Sequence, residues 1–359
     1  MSRLETKFLN KLGDQWQGAT PGFCVQAYHR GKKIVDIEVG ETFEIYDWAS
    51  VTKIVFTTTA LMFRHDEKVL SLNDKVERWV SWFPENSWQR VRDLLNHSAG
   101  MTWWKPYYKD LIKKVGPTTS PEDAWEIFQQ LLRKSVIKDF KKSGAVRPEK
   151  SVYSDLDFFL LGVTLESVSG TTLYTVWDEV RERTGLKNTD FLRGNKPKGA
   201  RSRYAPTEDC AWRKKVLQGE VHDQNTWALR GVAPHAGLFG PIDDLSQWGL
   251  LLRDGMRGKK SKRFASPETV KLFTRRSLPR KKGDWALGFS MPSKEGASAG
   301  PLFSMDSVGH LGFSGTSLWY DPKRDLLVTI LSNRIHPSVE NAGIRTLRPL
   351  IHTLIAEQL

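Results

Sequence analysis

Ser50-Val51-Thr52-Lys53 is the stretch on which the reading of this chain turns. It follows a strand-like run that ends at Trp48. It opens a segment whose Ile54, Val55, Leu61 and Met62 give apolar faces at helical spacing. Positions three apart share one face of a helix, so the Lys53 ammonium can reach the Ser50 hydroxyl. A serine hydroxyl is a poor nucleophile until a neighbouring base activates it. Lysine is such a base only where burial or a nearby cation lowers its pKa. The same spacing recurs at Ser135-Val136-Ile137-Lys138, so context has to choose between the two.

Upstream, residues 3–17 have a helical pattern. Residues 23–29 and 33–39 form strand candidates around Arg30-Gly31-Lys32, and 43–48 a third. From about 65 to 220 the pattern is mostly helical, with candidates at 125–140 and at 155–169, the latter stopped by Gly170. Strand signals return at 285–291, 317–320 and 326–332, with a turn at Asp321-Pro322 and a closing helix from about Ser338. Strands at both ends and helices between them predict an α/β (α+β) fold. An antiparallel sheet is built from both ends of the chain and flanked by the N- and C-terminal helices. Residues 1–64 and 225–359 are assigned to the sheet part and 65–224 to an inserted helical subdomain, together one composite catalytic domain. The cleft between the two parts is the expected ligand site.

With 359 residues the chain exceeds one simple core, and its 39% hydrophobic and 26% charged content is that of a globular protein. No apolar run spans a membrane. The polar start, residues 1–17, lacks the apolar core of a secretory signal, so a chain complete as given is expected in the cytoplasm. As a piece of a longer chain it is expected in the periplasm. The net charge of +13 favours anionic partners. Its basic residues are dispersed, apart from Lys259-Lys260-Ser261-Lys262-Arg263 and Arg280-Lys281-Lys282. No nucleic-acid motif accompanies them, so solvated loops and no nucleic-acid partner are expected. Cys24 and Cys210 match no metal spacing and are read as buried small hydrophobes, with a disulfide left open. There is no HExxH, Walker A or paired CxxC, so neither a metal nor another cofactor is expected. The lack of G-x-S-x-G argues against a nucleophile elbow of the α/β-hydrolase type.

Two further elements follow the first in order. Tyr153-Ser154-Asp155 lies just ahead of a helix, and His310-Leu311-Gly312 lies in a Gly-rich segment leading into a strand. A tyrosine beside a Ser–Lys pair can shuttle protons if the lysine's charge depresses its phenol. A glycine-flanked strand edge can bring a backbone N–H to a substrate carbonyl. In this order the elements resemble the S-x-x-K, Y-x-N and K-T-G series of serine β-lactamases and penicillin-binding proteins. They look most like the class C branch, which includes esterases and D-amino-acid peptidases with H-x-G as third element. Leu94-Leu95-Asn96-His97-Ser98-Ala99-Gly100-Met101, Gly231-Val232-Ala233-Pro234-His235-Ala236-Gly237-Leu238-Phe239 and residues 309–317 are similar to that branch as well. The likeness covers roughly residues 20–340. It selects Ser50 over Ser135, read as surface-exposed late in a basic helix.

The resemblance implies Ser50 as nucleophile, Lys53 as the group that takes or relays its proton, and Tyr153 as proton shuttle to the leaving group and deacylating water. His310 would orient substrate or bond Tyr153, and the backbone N–H groups of Ser50 and Phe313 would form the oxyanion hole. Gly312 and Asp155 would support the site. Asp155 replaces the frequent asparagine and, when ionised, cannot donate to a substrate amide. His310 replaces a permanent cation with a group that titrates near neutrality. Both departures shift the expectation from β-lactams toward esters and peptides. Gly219-Glu220-Val221-His222-Asp223-Gln224-Asn225 resembles a stretch in relatives that include muramyl-L-alanine amidases. His222 and Asp223 are read either as substrate or water contacts or as a capped loop in the cleft wall.

His235 and His97 are read as structural, and Arg334 as a carboxylate ligand or a structural ion pair. Trp48, Trp103 and Trp104 are expected to line the cleft and stack on sugars or apolar acyl groups. The expected activity is hydrolysis of a small ester or amide through an acyl-Ser50 intermediate. The alternatives are a muropeptide amidase or D-amino-acid peptidase, and a non-catalytic binding or sensor module on the same fold.

Overall fold

The computed structural model describes residues 1–143 and 146–359. Its five-stranded sheet has the order Lys32–Gly40, Gly22–His29, Leu326–Asn333, Gly315–Asp321, Val308–Leu311, antiparallel throughout. The first hairpin is thus zipped to the last long strand, with Phe23 opposite Ser332 and His29 opposite Leu326. Side chains alternate across a strand, and both faces here are covered. Leu326, Val328 and Ile330 enter one core and Leu327 and Leu331 the other, which is why this stretch reads as an unbroken apolar run.

The two end helices cover one face. Arg3–Leu12 starts with a capping box, Ser2 Oγ accepting from the Glu5 N–H at 3.2 Å and Glu5 Oε2 from the Ser2 N–H at 2.6 Å. Phe8 and Leu12 then pack with Ile344, Leu347, Ile351 and Ile355 of the closing helix Ile344–Ala356. Ile242–Met256 covers the other face and joins the larger core. That core continues into the helices Pro121–Ser143, Asp155–Ser169 and Leu173–Thr184. Ser154 caps Asp155–Ser169, and left-handed Gly170 ends it at the predicted residue. Gly162 lets this helix approach the loop at Pro234, because a Cβ there would meet the proline ring at 2.7 Å.

Three local expectations change. Residues 43–48 supply only Tyr46–Asp47, which joins Leu238–Gly240 and Asp190–Phe191 in a small sheet. Residues 285–291 make isolated bridges, Trp285 with Ser290 and Ser290 with Gly309, in place of a strand. The segment after Ser50 is a 3₁₀ turn, Ala49–Val51, then a π-helix, Lys53–Thr58, and only then an α-helix, Thr59–Asp66. Its threonines explain the wide turn. Thr59 Oγ1 donates to the Ile54 carbonyl five residues back at 2.8 Å, and Thr57 Oγ1 to the Pro234 carbonyl at 2.5 Å. Cys24 and Cys210 are both buried and free, as read. Among the described residues no helix is long and apolar enough to cross a membrane.

Candidate active site

Ser50 sits at the start of this segment, after Ala49 in the left-handed region at φ 46°. Two donors converge on its hydroxyl: Lys53 Nζ at 3.0 Å and the Tyr153 O–H at 2.9 Å. Lys53 is fully buried. Its Nζ also meets the His235 carbonyl at 3.1 Å and Asp155 Oδ1 at 2.7 Å, an oxygen for each of its three N–H bonds. Burial pushes this ammonium down, but Asp155 and Tyr153 outweigh it and leave Lys53 above its ordinary value. Burial likewise raises the Tyr153 phenol, and Lys53 offsets only part of that. The resting pair is therefore an ammonium and a neutral phenol, the reverse of the two lowered pKa values anticipated from sequence.

Tyr153 is held as a plate. Trp285 stacks on it at 5.8 Å and 15°, and His97 packs edge-on at 4.9 Å. His97 Nδ1 accepts from the Ser154 N–H at 3.2 Å and lies 3.1 Å from Asp157 Oδ2, while its carbonyl takes the Val152 N–H at 3.0 Å. Burial drives the His97 imidazole well down and the Asp157 carboxyl well up, both toward their neutral forms. His97 does hold its loop by backbone bonds, and it also supports the tyrosine.

His310 lies on the strand Val308–Leu311 with its ring 6.0 Å from that of Tyr153. Its Nδ1 is 2.9 Å from the Leu311 carbonyl, which makes Nδ1 the protonated nitrogen and leaves a lone pair on Nε2. Burial and Lys53 push this imidazole down to about 3. The expectation of a group titrating near neutrality is corrected: His310 is a neutral acceptor. Beyond it, Gly312 runs so close to the Trp48 carbonyl that a Cβ would stand 2.6 Å from the oxygen. Arg348 Nη2 donates to the Gly312 carbonyl at 2.7 Å. In a trans peptide the Phe313 N–H points the opposite way, and no partner takes it among the described residues.

Two lobes open from Ser50. One, of about 530 Å³, is lined by His310, Gly312 and Phe313 and by Arg334, Arg345 and Arg348 from the closing segment. None of the three arginines has an ion-pair partner among the described residues. Arg334 donates to the carbonyls of Phe313, Val339 and Asn341, so it is neither in an ion pair nor free. Burial lowers Arg334 and brings Arg348 down to about 9, and the neighbouring guanidinium charges add to both shifts.

The other lobe, about 330 Å³, is lined by Trp103, Trp104, Asp155, Glu208, His222 and Asp223. Each carboxylate here has a basic neighbour: Asp155 has Lys53, Glu208 has His222 at 3.1 Å, and Asp223 has His235 at 3.1 Å. Burial would raise Asp223, but His235 and the Thr226 N–H hold it below its ordinary range. Asp223 also caps the helix Gln224–Ala228, and His222 stacks on Phe313 at 5.6 Å, so both belong to a bonded wall as well as to the cleft. Ligand atoms of Asp155, Asp223 and His235 lie within 4.8 Å of one another, a spacing that could hold a cation. The Lys53 ammonium already stands at two of these residues, 2.7 Å from Asp155 Oδ1 and 3.1 Å from the His235 carbonyl.

The Beta-lactamase family model matches residues 2–352. The chain belongs to the Beta-lactamase family. A putative D-alanyl-D-alanine carboxypeptidase of Escherichia coli O157:H7 is 30% identical over 322 residues, covering 83% of this chain and 71% of that protein. The solved structure of EstCE1, described as a hydrolase with promiscuous acyltransferase activity, covers 99% of both chains at TM-score 0.73 and 20% identity. A penicillin-binding protein homologue from Pyrococcus abyssi covers 96% of this chain and 76% of its own at TM-score 0.66 and 19% identity. These neighbours carry the fold, and the family makes the chain a hydrolase related to β-lactamases and penicillin-binding proteins.

The catalytic, oxyanion-hole and supporting candidates from sequence line the two lobes or, like buried Lys53, touch Ser50 from beneath. Ser135 is not among them. It is half-buried and takes a bond from Lys105 at 2.6 Å. Trp103 and Trp104 line the cleft as expected, whereas Trp48 is wholly buried behind it. Sequence reading missed Trp285, Arg345, Arg348 and Asp157. Arg345 and Arg348 stand three apart on one amphipathic helix, but only the tertiary fold turns that face toward Ser50.

Proposed function

We propose that this hydrolase works through an acyl-Ser50 intermediate, and that its substrates carry an anionic group on the leaving side. The observation that carries the mechanism is the convergence of Lys53 Nζ and the Tyr153 O–H on Ser50 Oγ at the junction of two lobes. Ser50 Oγ attacks the carbonyl carbon, and the developing oxyanion is received by the Ser50 and Phe313 N–H groups. The Ser50 proton passes to Lys53 as Lys53 yields one to Asp155, 2.7 Å away. Tyr153 protonates the departing nitrogen or oxygen as the acyl bond breaks, and regains its proton through Lys53. Water, activated through the same pair, then releases the acyl group. His310 Nε2 accepts a hydrogen bond from the leaving group, and Asp223 and His222 shape the acyl wall.

The carboxylate preference rests on the three guanidinium groups of the larger lobe, which outnumber its one carboxylate, Glu340, and form no ion pair among the described residues. They supply the positive charge that neutral His310 cannot. A peptide ending in a free carboxylate suits this lobe, as in the reaction named for the carboxypeptidase relatives. Intact-mass measurement with a fluorophosphonate or β-lactam probe tests the nucleophile: one adduct on the wild type and none on Ser50→Ala. Labelling that survives the substitution removes Ser50 from this role. Turnover of D-alanyl-D-alanine peptides against their C-terminal amides tests the leaving side, and an equal rate on both would refute it.

A further inference from the structure

We propose that Asp47 is the positioning residue of the oxyanion hole, tying together the two chain segments whose Ser50 and Phe313 N–H groups form it. The inference rests on the acyl-Ser50 reading. Asp47 ends the short strand Tyr46–Asp47 and is only 2% exposed. No cation pairs with it among the described residues. Burial raises this carboxyl, and the His222 and Ala49 N–H groups that it accepts from offset part of that cost.

Those contacts are all with backbone or hydroxyl groups at the site. Oδ1 accepts from the Ala49 N–H at 2.8 Å, and Oδ2 accepts from the His222 N–H at 3.0 Å. The Asp47 carbonyl accepts from Ser314 Oγ at 2.6 Å and from Thr316 Oγ1 at 3.4 Å. Ala49 and Ser314 immediately precede Ser50 and follow Phe313, the two proposed oxyanion donors. Ala49 is the non-glycine residue at φ 46°, a conformation that needs outside support directly before the nucleophile. His222, held through its own N–H by Asp47, presses its ring on the Phe313 side chain. One residue therefore sets the distance between both donors.

The chemistry requires a carboxylate. Two N–H groups approach its two oxygens, and an asparagine would answer one of them with a second donor. Asp47→Asn should leave substrate binding intact and loosen the donors from the position that the oxyanion occupies.

The test is kinetic and spectroscopic. Intact mass first establishes the wild-type acyl-enzyme with a slowly deacylating β-lactam. Infrared spectroscopy then reads its ester carbonyl, whose stretch an oxyanion hole lowers. For Asp47→Asn we expect a higher carbonyl frequency and a kcat fall of about 30- to 300-fold, with KM within about twofold, as for loss of an oxyanion donor. A folded Asp47→Asn protein with wild-type frequency and kcat would overturn the proposal. Should that variant not fold, Ser314→Ala removes only the tether near Phe313. It should raise the frequency and lower kcat about tenfold, and unchanged values there overturn the proposal equally. Absence of any wild-type adduct on Ser50 defeats the acyl-enzyme reading and this inference together. An adduct with an indifferent Asp47 defeats this inference alone.

Discussion

The two lobes that meet at Ser50 are built from opposite electrostatic choices. In the smaller lobe each carboxylate faces a base of the same wall: Asp155 and Lys53, Asp223 and His235, Glu208 and His222. Its apolar surface includes the indole pair Trp103–Trp104, with ring centres 5.9 Å apart. In the larger lobe three arginines face the solvent or backbone carbonyls, and the one lining carboxylate, Glu340, forms no ion pair with them among the described residues. A wall that satisfies its own charges selects by shape and apolar contact. A wall that does not selects by charge. On the proposed function, the acyl group would enter the indole lobe and the anion the arginine lobe.

That division can be broken in order of expected effect. Tyr153→Phe keeps the ring stacked on Trp285 but removes the O–H shared by both lobes. It should lower kcat by about 10²–10³-fold for neutral and anionic substrates alike. A loss confined to one class would show that Tyr153 belongs to one lobe only. Arg345→Ala should raise KM about tenfold for peptides ending in a carboxylate. It should leave p-nitrophenyl esters of uncharged acids unchanged, because Arg345 is exposed and makes no ion pair among the described residues. Added salt should weaken the same anionic substrates and spare the neutral esters. Equal effects on both substrates would dissolve the contrast.

Trp103→Ala should change selectivity among acyl chains by only a few-fold, because the indole is 63% exposed and is one of two in that wall. An equal change in preference for the leaving group would merge the lobes. Asp155→Asn is read as a pH profile. In the proposed mechanism Asp155 takes the proton that Lys53 yields, so without that carboxylate turnover needs the free Lys53 amine and the acid limb of kcat moves up in pH. A limb that stays in place would mean that Lys53 is not the titrating group.

The readable parts of the fold were those with a local cause. The hairpin at 22–40 announced itself by its turn. The strand Leu326–Asn333 was marked by its apolar run, and Asp155–Ser169 by the Gly170 that stops it. Residues 285–291 misled because Trp285 packs on His97 and Tyr153 while Ala286, Leu287 and Phe289 enter the main core without forming a strand. The π-helix after Ser50 was equally hidden, since its threonine bonds reach the Pro234 loop, far away in sequence. In the site, order and spacing isolated Ser50, Lys53, Tyr153 and His310, while protonation went astray. The pKa directions depend on burial and on Asp155, His97 and Trp285 arriving from other segments.

Motif order, helix and strand periodicity and turn residues are written along the chain, because each depends on neighbours within a few positions. They were enough for the fold class, the family resemblance and the grouping of Ser50, Lys53 and Tyr153. The charge state of Lys53 and His310, the arginines without ion pairs and the contacts of Asp47 belong to the folded molecule. Electrostatics and hydrogen bonding act through space, and the partners concerned lie up to 269 residues apart.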